Sequence, residues 1–283
     1  MKILLLFIYS EDDEHYNKMR KTQQTYCNSD VDVRSYFVTY RKTQSSSVEI
    51  EDDMIYVKGE ETYLGITRKT VEAIEYLLNK WPDTDYVVRT NISTVINIRE
   101  LKFFCETLPR THVYTGGLIN HLQWLDEPGG IADKSLWGTE YVSGTSIILS
   151  RDLADKMVRE KSNIRHDIVD DVSIGVFMKD KTSLTNPTAK FAFVSAEFDP
   201  DLIDSKTVFY RIRTDNRKRD AENMQNICDK LYLRKRNDVK REGFVDLTRG
   251  TRQMIWSGVA YTLIAFAVSY ISTYTILGNK RKK

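Results

Sequence analysis

The chain has 283 residues, a formal net charge of +2, and 41% hydrophobic residues. This length accommodates one large domain or two small ones, and the near-neutral charge excludes a strongly basic nucleic-acid-binding protein. The three cysteines, Cys27, Cys105 and Cys228, are far apart and have no CxxC spacing, so neither a disulfide framework nor a zinc site is predicted. A reduced, cytosol-facing environment fits this cysteine usage best.

The first part of the chain alternates between predicted strands and helices. The apolar run from Ile3 to Tyr9 is followed by acidic residues rather than by a small-residue cleavage site, so a buried strand is favoured over a signal peptide. The spacing of apolar residues then predicts a helix at 15–26, strands at 31–39 and 54–57, and a helix at 63–81 that ends before Pro82.

The same alternation continues towards the carboxyl end. The pattern predicts strands at 86–88, 113–115, 143–149 and 191–194, and helices at 98–107, 151–159 and 169–178, with Ser150 capping the second of these helices and a turn-rich loop at 126–134. Strands rich in Val, Ile and Leu that alternate with helices are typical of an α/β fold. The sequence therefore predicts an α/β domain with a mostly parallel sheet.

The segment from Met254 to Leu277 contains no charged residue. At about 1.5 Å per helical residue it is long enough to cross a hydrocarbon core of about 30 Å. The prediction is a folded domain at 1–235, a basic linker at 236–253, one C-terminal transmembrane helix at 254–277 and a basic tail at 278–283; the alternative is a buried core helix. Basic residues before the span favour a single-pass membrane anchor with the domain on the cytosolic side, although the tail is basic as well.

Polar residues follow the predicted strand at 86–88. Arg89, Thr90, Asn91 and Ser93 come directly after its apolar residues. Ligands of open α/β sheets bind outside the carboxyl ends of the strands, so these side chains are candidates for a binding site. The alternative is a strand followed by an ordinary turn. Asn91 also begins an Asn-Ile-Ser glycosylation sequon, and a glycan there would fill the proposed pocket, which again favours a cytosolic domain.

Several motifs occur in the order that one family shows. They are Met19-Arg20-Lys21-Thr22, the helical segment Tyr63–Thr70, the segment Asn91-Ile92-Ser93, the strand region Tyr141-Val142-Ser143-Gly144 with Ile147–Arg151, and Asp170-Asp171-Val172-Ser173-Ile174-Gly175. Over roughly residues 1–180, the chain resembles the β-1,3-galactosyltransferase and Fringe-like glycosyltransferases. With Arg-Thr-Asn in place of the family's Asp-x-Asp region, it also looks like the glycosyltransferase-like proteins of large DNA viruses. The resemblance implies the GT-A nucleotide-diphospho-sugar transferase fold, which has a Rossmann-like, mostly parallel sheet.

The resemblance also implies an activity. A sugar would pass from a nucleotide-sugar donor, with a UDP-sugar favoured, to a hydroxyl of a glycan or glycoprotein, with inversion. Asp171 is the candidate base, with Asp170 beside it, because two adjacent carboxylates can have their pKa values pushed apart. The alternative is that Asp170 caps a helix and Asp171 is an ordinary acid in its first turn.

The metal-binding acids of the family are missing. Asn91 and Ser93 stand at the Asp-x-Asp positions and are poor substitutes for carboxylates, so dependence on Mn²⁺ or Mg²⁺ stays open and no metal ligand is predicted. Arginines can stabilise a diphosphate leaving group without metal, and the candidate clamp consists of Arg89, Arg211 and Arg213, with Arg217 one turn later. The alternative for these arginines is a basic surface that faces solvent or lipid headgroups.

Other candidate site residues follow from their position. On the donor side they are Tyr9, Ser10, Arg20 and Lys69, and on the acceptor side they are Trp137, Tyr141, Ser143 and Gly144. A second reading of the sequence is a catalytically inactive membrane protein of the same fold that binds glycans or nucleotides. The loss of carboxylates at Asn91 and Ser93 supports this second reading.

Overall fold

The computed structural model describes residues 1–27 and 30–233, and the span Met1–Tyr232 forms one compact unit. The predicted linker, transmembrane helix and basic tail lie outside the described residues. Within the described part of the chain, no helix is both long and apolar enough to cross a membrane.

The chain alternates between strands and helices. The strands are β1 (Ile3–Ile8), β2 (Val33–Arg41), β3 (Val48–Glu51), β4 (Met54–Lys58), β5 (Tyr86–Asn91), β6 (Thr94–Ile96), β7 (Tyr114–Thr115), β8 (Ile119–His121), β9 (Glu140–Val142), β10 (Ile147–Ser150), β11 (Phe191–Val194) and β12 (Phe209–Ile212). The helices are α1 (Glu14–Cys27), α2 (Ile66–Lys80), α3 (Ile98–Glu106), α4 (Arg151–Arg159), α5 (Asp170–Met178) and α6 (Arg217–Cys228).

The main sheet has seven strands in the order β3-β4-β2-β1-β5-β10-β7. Its centre is parallel, since β4, β2, β1 and β5 run in one direction, whereas β3, β10 and β7 pair antiparallel to their neighbours. The α/β class is confirmed, and the predicted mostly parallel sheet is parallel at its centre but has antiparallel pairings at both edges. Parallel pairing needs a crossover connection, usually a helix, and no α-helix lies between β7 and β10.

Both faces of the main sheet are covered, which explains the uninterrupted apolar run of β1. Leu5 and Phe7 pack into a core with residues of α1, α3 and α6. Leu4 and Leu6 point to the opposite face and pack with residues of α2, α4 and α5. Successive side chains of a strand point to opposite faces, so a strand covered on both sides must be apolar at every position.

The register of the central strands creates the edge where polar residues gather. Ile8 at the end of β1 lies opposite Asn91 at the end of β5, so the carboxyl ends of these strands are level. The strand predicted at 86–88 continues to Asn91, and the strand predicted at 143–149 begins only at Ile147, after a turn closed by a hydrogen bond from Ser146 to Ser143. A second sheet, β11-β12-β6, places β12 beside the segment that follows β5.

Candidate active site

Two adjacent carboxylates at the start of α5 have different surroundings. Asp171 accepts hydrogen bonds from the backbone N–H groups of Gly144 (3.1 Å) and Val172 (2.9 Å). Asp170 is buried and forms an ion pair with Arg89. The capping position of α5 is occupied by Val169, so Asp170 is not the helix cap. In the part of the chain that the structure describes, Asp170 is therefore paired with a cation, whereas Asp171 is held by backbone N–H groups.

Arg89 is the cation at the centre of this site. Its side chain, near the carboxyl end of strand β5, is 2% exposed, and its Nε and Nη1 atoms have no hydrogen-bond partner among the described residues. A Cβ atom at position 144 would lie 2.3 Å from Nη1 of Arg89, so Gly144 is the residue that leaves room for the guanidinium. A buried guanidinium with unused N–H groups is costly unless a ligand completes its hydrogen bonds.

The carboxyl of Asp171 holds its proton more tightly than an ordinary aspartate. Burial, and then the negative charge of Asp170, raise its pKa to about 6, against the opposing effects of the Gly144 N–H, Arg89 and the Val172 N–H. At neutral pH the group is ionised, yet it is a stronger base than a solvent-exposed carboxylate. This is the pKa expected of a general base.

The turn between β5 and β6 is held from two sides. Gln23 of α1 is buried, and its Nε2 donates to the carbonyl oxygens of Ile92 and Thr94, each at 2.8 Å. On the other side, Arg211 of β12 donates to the hydroxyl of Ser93. The backbone of Ser93 also accepts a 2.9 Å hydrogen bond from the Ile212 N–H. The segment Asn91–Ser93 is thus fixed against an arginine.

Arg211 belongs to a group of positive charges. Its side chain is buried, and burial lowers its pKa to about 10, helped by the charges of Arg213, Arg217 and Arg89. Arg213 lies just beyond β12 and is exposed, and Arg217 forms a 3.0 Å ion pair with Asp220. The arginines predicted as a clamp therefore differ in burial: Arg211 and Arg89 are buried, whereas Arg213 is exposed.

Lys69 has its ammonium fully engaged. Its Nζ donates to both carboxylate oxygens of Glu61, at 2.8 and 2.7 Å, and to the backbone oxygen of Tyr9 at 2.9 Å. The side chain is buried, and burial lowers its pKa against the effect of Glu61. The structure thus places Lys69 beneath the segment that follows β1, where it orients the backbone of Tyr9.

The other donor-side candidates surround the ends of β1 and β5. Tyr9 is hydrogen-bonded to Asn17, and Ser10 donates to Asp12 at 3.2 Å. Arg20 of α1 lies near Tyr9, and its charge opposes the burial that raises the pKa of the Tyr9 hydroxyl. The hydroxyl of Thr90 is buried and donates to the carbonyl oxygen of Thr145 at 2.7 Å, which ties β5 to the turn containing Gly144.

The acceptor-side candidates divide into two groups. Tyr141 of β9 is buried, and Asp171 is among the groups that raise its pKa. Ser143 shares a 3.1 Å hydrogen bond with Thr145 in the same turn as Gly144. Because the Gly144 N–H donates to Asp171, this turn lies next to the Asp171 carboxylate. Trp137 is exposed in the loop before β9, with the ammonium of Lys134 4.6 Å from its ring centroid.

Comparison with known proteins identifies the family. A sequence model of the galactosyltransferase family matches residues 17–185. The chain belongs to the galactosyltransferase family. The matched span contains Arg89, the Asn91–Ser93 segment and both carboxylates of α5, and the expected family is confirmed. Over 157 residues the chain is 26% identical to beta-1,3-galactosyltransferase 2 of Mus musculus.

That match covers 50% of this chain and 36% of the mouse protein, so the chain spans little more than a third of this curated relative. Among solved structures, the chain is similar to a glycosyltransferase involved in the glycosylation of the major capsid of PBCV-1, with a TM-score of 0.48 and 10% identity, covering 80% of this chain and 99% of that one. It is also similar to the apo-form glycosyltransferase GlyE of Streptococcus pneumoniae TIGR4, with a TM-score of 0.34, 12% identity and coverage of 66% and 45%.

The residues at the family's metal position do not fit a divalent cation. Asn91 and Ser93 supply neutral oxygens, and the Ser93 hydroxyl already accepts a hydrogen bond from Arg211. A guanidinium at that place repels a divalent cation, whereas Mg²⁺ and Mn²⁺ require carboxylate or other oxygen ligands. Within residues 1–27 and 30–233, no group of three or more His, Cys, Asp or Glu residues could hold a metal ion.

Two residues that position the site, the buried Gln23 and the half-buried Glu61, were not predicted from the sequence. Gln23 lies one helical turn after Arg20 on α1, a spacing that puts both on one face, but nothing in the sequence shows that it reaches the turn after β5. Glu61 accepts hydrogen bonds from Lys69 and from the backbone of Tyr40 at 2.8 Å. It lies in a loop where an acidic residue is ordinarily solvated.

Proposed function

We propose that this member of the galactosyltransferase family is a GT-A enzyme that transfers a sugar from a nucleotide-sugar donor, with a UDP-sugar favoured, to a hydroxyl of a glycan or glycoprotein. The observation that carries the proposal is the Asp171 carboxylate. It is held by two backbone N–H groups and has a pKa raised to about 6, and it lies beside the buried Arg89–Asp170 ion pair at the end of β5. The family membership supports the reaction class.

Asp171 acts as the base in the proposed reaction. Its carboxylate takes the proton from the acceptor hydroxyl as that oxygen forms a bond to the anomeric carbon of the donor sugar. The bond from the anomeric carbon to the diphosphate breaks on the opposite side, which inverts the configuration. Proton removal by a well-placed base contributes about 10²- to 10⁴-fold to a rate.

The negative charge that develops on the leaving diphosphate needs cations. Arg211 lies against the Asn91–Ser93 turn and Arg89 has unused N–H groups beside the same strand end. Guanidinium groups donate paired hydrogen bonds to phosphate oxygens, and donors fixed in place before the reaction stabilise developing charge most effectively. We therefore propose that these two arginines stabilise the leaving group without a divalent ion at Asn91 and Ser93.

A second function is favoured by one observation. The carboxylates of the family's metal motif are absent at Asn91 and Ser93, and a fold that has lost them can still bind a nucleotide or a glycan without turnover. The retained pair Asp170 and Asp171, and the arginines around the turn, favour the enzyme. The two functions differ in whether sugar leaves the donor.

The deciding experiment measures UDP release and sugar transfer by the full chain, with a panel of UDP-sugars, in Mn²⁺ and in EDTA. We expect transfer that survives EDTA and falls at least about 100-fold in Asp171→Asn, with UDP affinity retained. The matched control is Asp180→Asn, at an exposed aspartate just after α5. Full transfer by Asp171→Asn contradicts the base, and UDP binding without turnover by the wild type supports the non-catalytic function.

A further inference from the structure

Two large aromatic side chains lie exposed beside the carboxylate site. Tyr63 is 50% exposed and Trp124 is 45% exposed. Both come from loops, one before α2 and the other between β8 and β9. Exposed aromatic surface is disfavoured in water and often marks a binding site when several rings cluster. These two exposed rings are therefore candidates for a binding surface.

Tyr141 connects these rings to the reactive carboxylate. The Trp124 ring meets the Tyr141 ring edge-on, with 6.0 Å between centroids. Burial raises the pKa of Tyr141, and the charges of Asp171 and Tyr63 add to the effect. The α5 helix packs closely against this strand, since a Cβ atom at Gly175 would lie 2.5 Å from the Cβ atom of Tyr141.

Tyr63 lies within the electrostatic reach of the same carboxylate. Burial raises the pKa of its hydroxyl to about 12, with further contributions from Asp126, then Asp171 and Asp170. The hydroxyl donates a 3.4 Å hydrogen bond to Asp126 and is influenced by the charges of Asp171 and Asp170. Trp124 is thus linked to the Asp171 site through Tyr141, and Tyr63 through its electrostatic influence on Tyr141 and through the charge of Asp171, although the two aromatic residues are far apart in the sequence.

A fixed carboxylate lies within this surface. Asp126 accepts a 3.4 Å hydrogen bond from the hydroxyl of Tyr63, and its other oxygen accepts one from the N–H of Gly129 at 3.0 Å. A backbone bridge between Asp126 and Ile131 holds the loop. The two oxygens of this carboxyl group have room for further hydrogen bonds beyond these two among the described residues.

The combination of rings and carboxylate suits a sugar. A pyranose has an apolar C–H face that packs on an aromatic ring and an edge of hydroxyl groups that donate hydrogen bonds. We propose that Tyr63, Trp124 and Asp126 form the subsite for the acceptor pyranose and hold it with a hydroxyl towards Asp171. This inference rests on the proposed function for the direction of that hydroxyl, whereas sugar binding itself can be tested alone.

The test measures pyranoside binding by the full chain with UDP present, using saturation-transfer NMR with lactose and with methyl β-D-glucopyranoside. We expect Tyr63→Ala and Trp124→Ala to weaken binding of at least one of these probes by about tenfold or more, because each variant removes the ring on which the apolar face of the sugar packs. Tyr63→Phe and Trp124→Phe keep a ring and are expected to retain most of the affinity.

The control is Phe103→Ala, which removes a 65% exposed ring on α3. We expect Asp126→Asn to weaken binding as well, while UDP affinity stays unchanged in every variant. Wild-type binding of neither pyranoside, or unaltered binding by both alanine variants, contradicts the subsite. Failure of UDP binding or of Asp171-dependent turnover would instead contradict the proposed function and leave the sugar-binding result standing.

Discussion

The carboxylate of Asp171 lies where burial and the charge of Asp170 retain its proton, and this sets the pH range in which it can act as a base. Since its pKa is raised to about 6, the group is protonated and inactive below that pH and ionised above it. We expect kcat/KM to fall about tenfold for each pH unit below 6 and to level off above 7. Initial rates between about pH 4.5 and 8 test this, and a flat profile down to pH 5 contradicts the assignment.

Asp170 is expected to act on the reaction through its neighbour rather than by touching substrate. In Asp170→Asn, the charge that raises the pKa of Asp171 is lost, and Arg89 is left to lower it further. The acid limb of the pH profile should therefore move to lower pH. Because the buried Arg89 loses its ion-pair partner, unfolding free energy should also drop by about 3–5 kcal/mol.

Rates across pH and urea denaturation measure both effects of Asp170→Asn, with Asp180→Asn as the exposed control. A stability loss with an unmoved acid limb would mean that Asp170 is structural only. A purely structural role of Asp170 would leave the acid limb of the pH–rate profile in place. A limb shifted to lower pH would show that the charge of Asp170 acts on Asp171.

Among the elements, helix α1 determines the shape of the turn after β5. Gln23→Ala removes both hydrogen bonds to the carbonyl oxygens of Ile92 and Thr94, and leaving buried acceptors unpaired costs about 1–3 kcal/mol. We expect lower stability and weaker UDP binding, because the turn that carries Ser93 loosens. Thr25→Ala, at an exposed position on the same helix, is the control. Unchanged UDP affinity in Gln23→Ala would show that the turn does not contact the donor.

Strong periodicity allowed some elements to be predicted from the sequence. The helix at 151–159 and the strand at 191–194 have the predicted bounds, since the helix has a clear apolar spacing and the strand is a continuous apolar run between polar segments. Helix α6 was missed because its sequence is mostly polar and it buries Asp220 and Asn223. Short strands such as β6 and β9 hold too few residues to show a period, so only the pairing in the folded chain reveals them.

The contents of the site were easier to predict than its connections. Asp170, Asp171 and Arg89 were named from motifs and strand ends, but the ion pair between Asp170 and Arg89 joins residues on separate elements. Ser93 and Arg211 are separated by 118 positions along the chain. No local pattern encodes such a contact, because it depends on how β12 pairs with β6.

In the molecule as a whole, the proposed donor site joins the end of β1, the β5–β6 turn and β12. A ligand that contacts all three stabilises the folded state by mass action. With UDP at about 100 times its Kd, the gain is about 2.7 kcal/mol. For a domain of this size, that corresponds to a rise in Tm of about 5–10 °C. Thermal unfolding of the full chain with and without UDP measures this rise.

We expect the UDP-induced rise in Tm to be the same in EDTA and in Mn²⁺, because the buried cations at the turn are arginines. Arg211→Met keeps an apolar side chain of similar length while it removes the charge, so it should abolish most of the rise. Arg219→Met, at an exposed position on α6, should leave the rise intact. A rise that disappears in EDTA and returns with Mn²⁺ would contradict the arginine clamp, since a divalent ion would then supply the charge that binds the diphosphate.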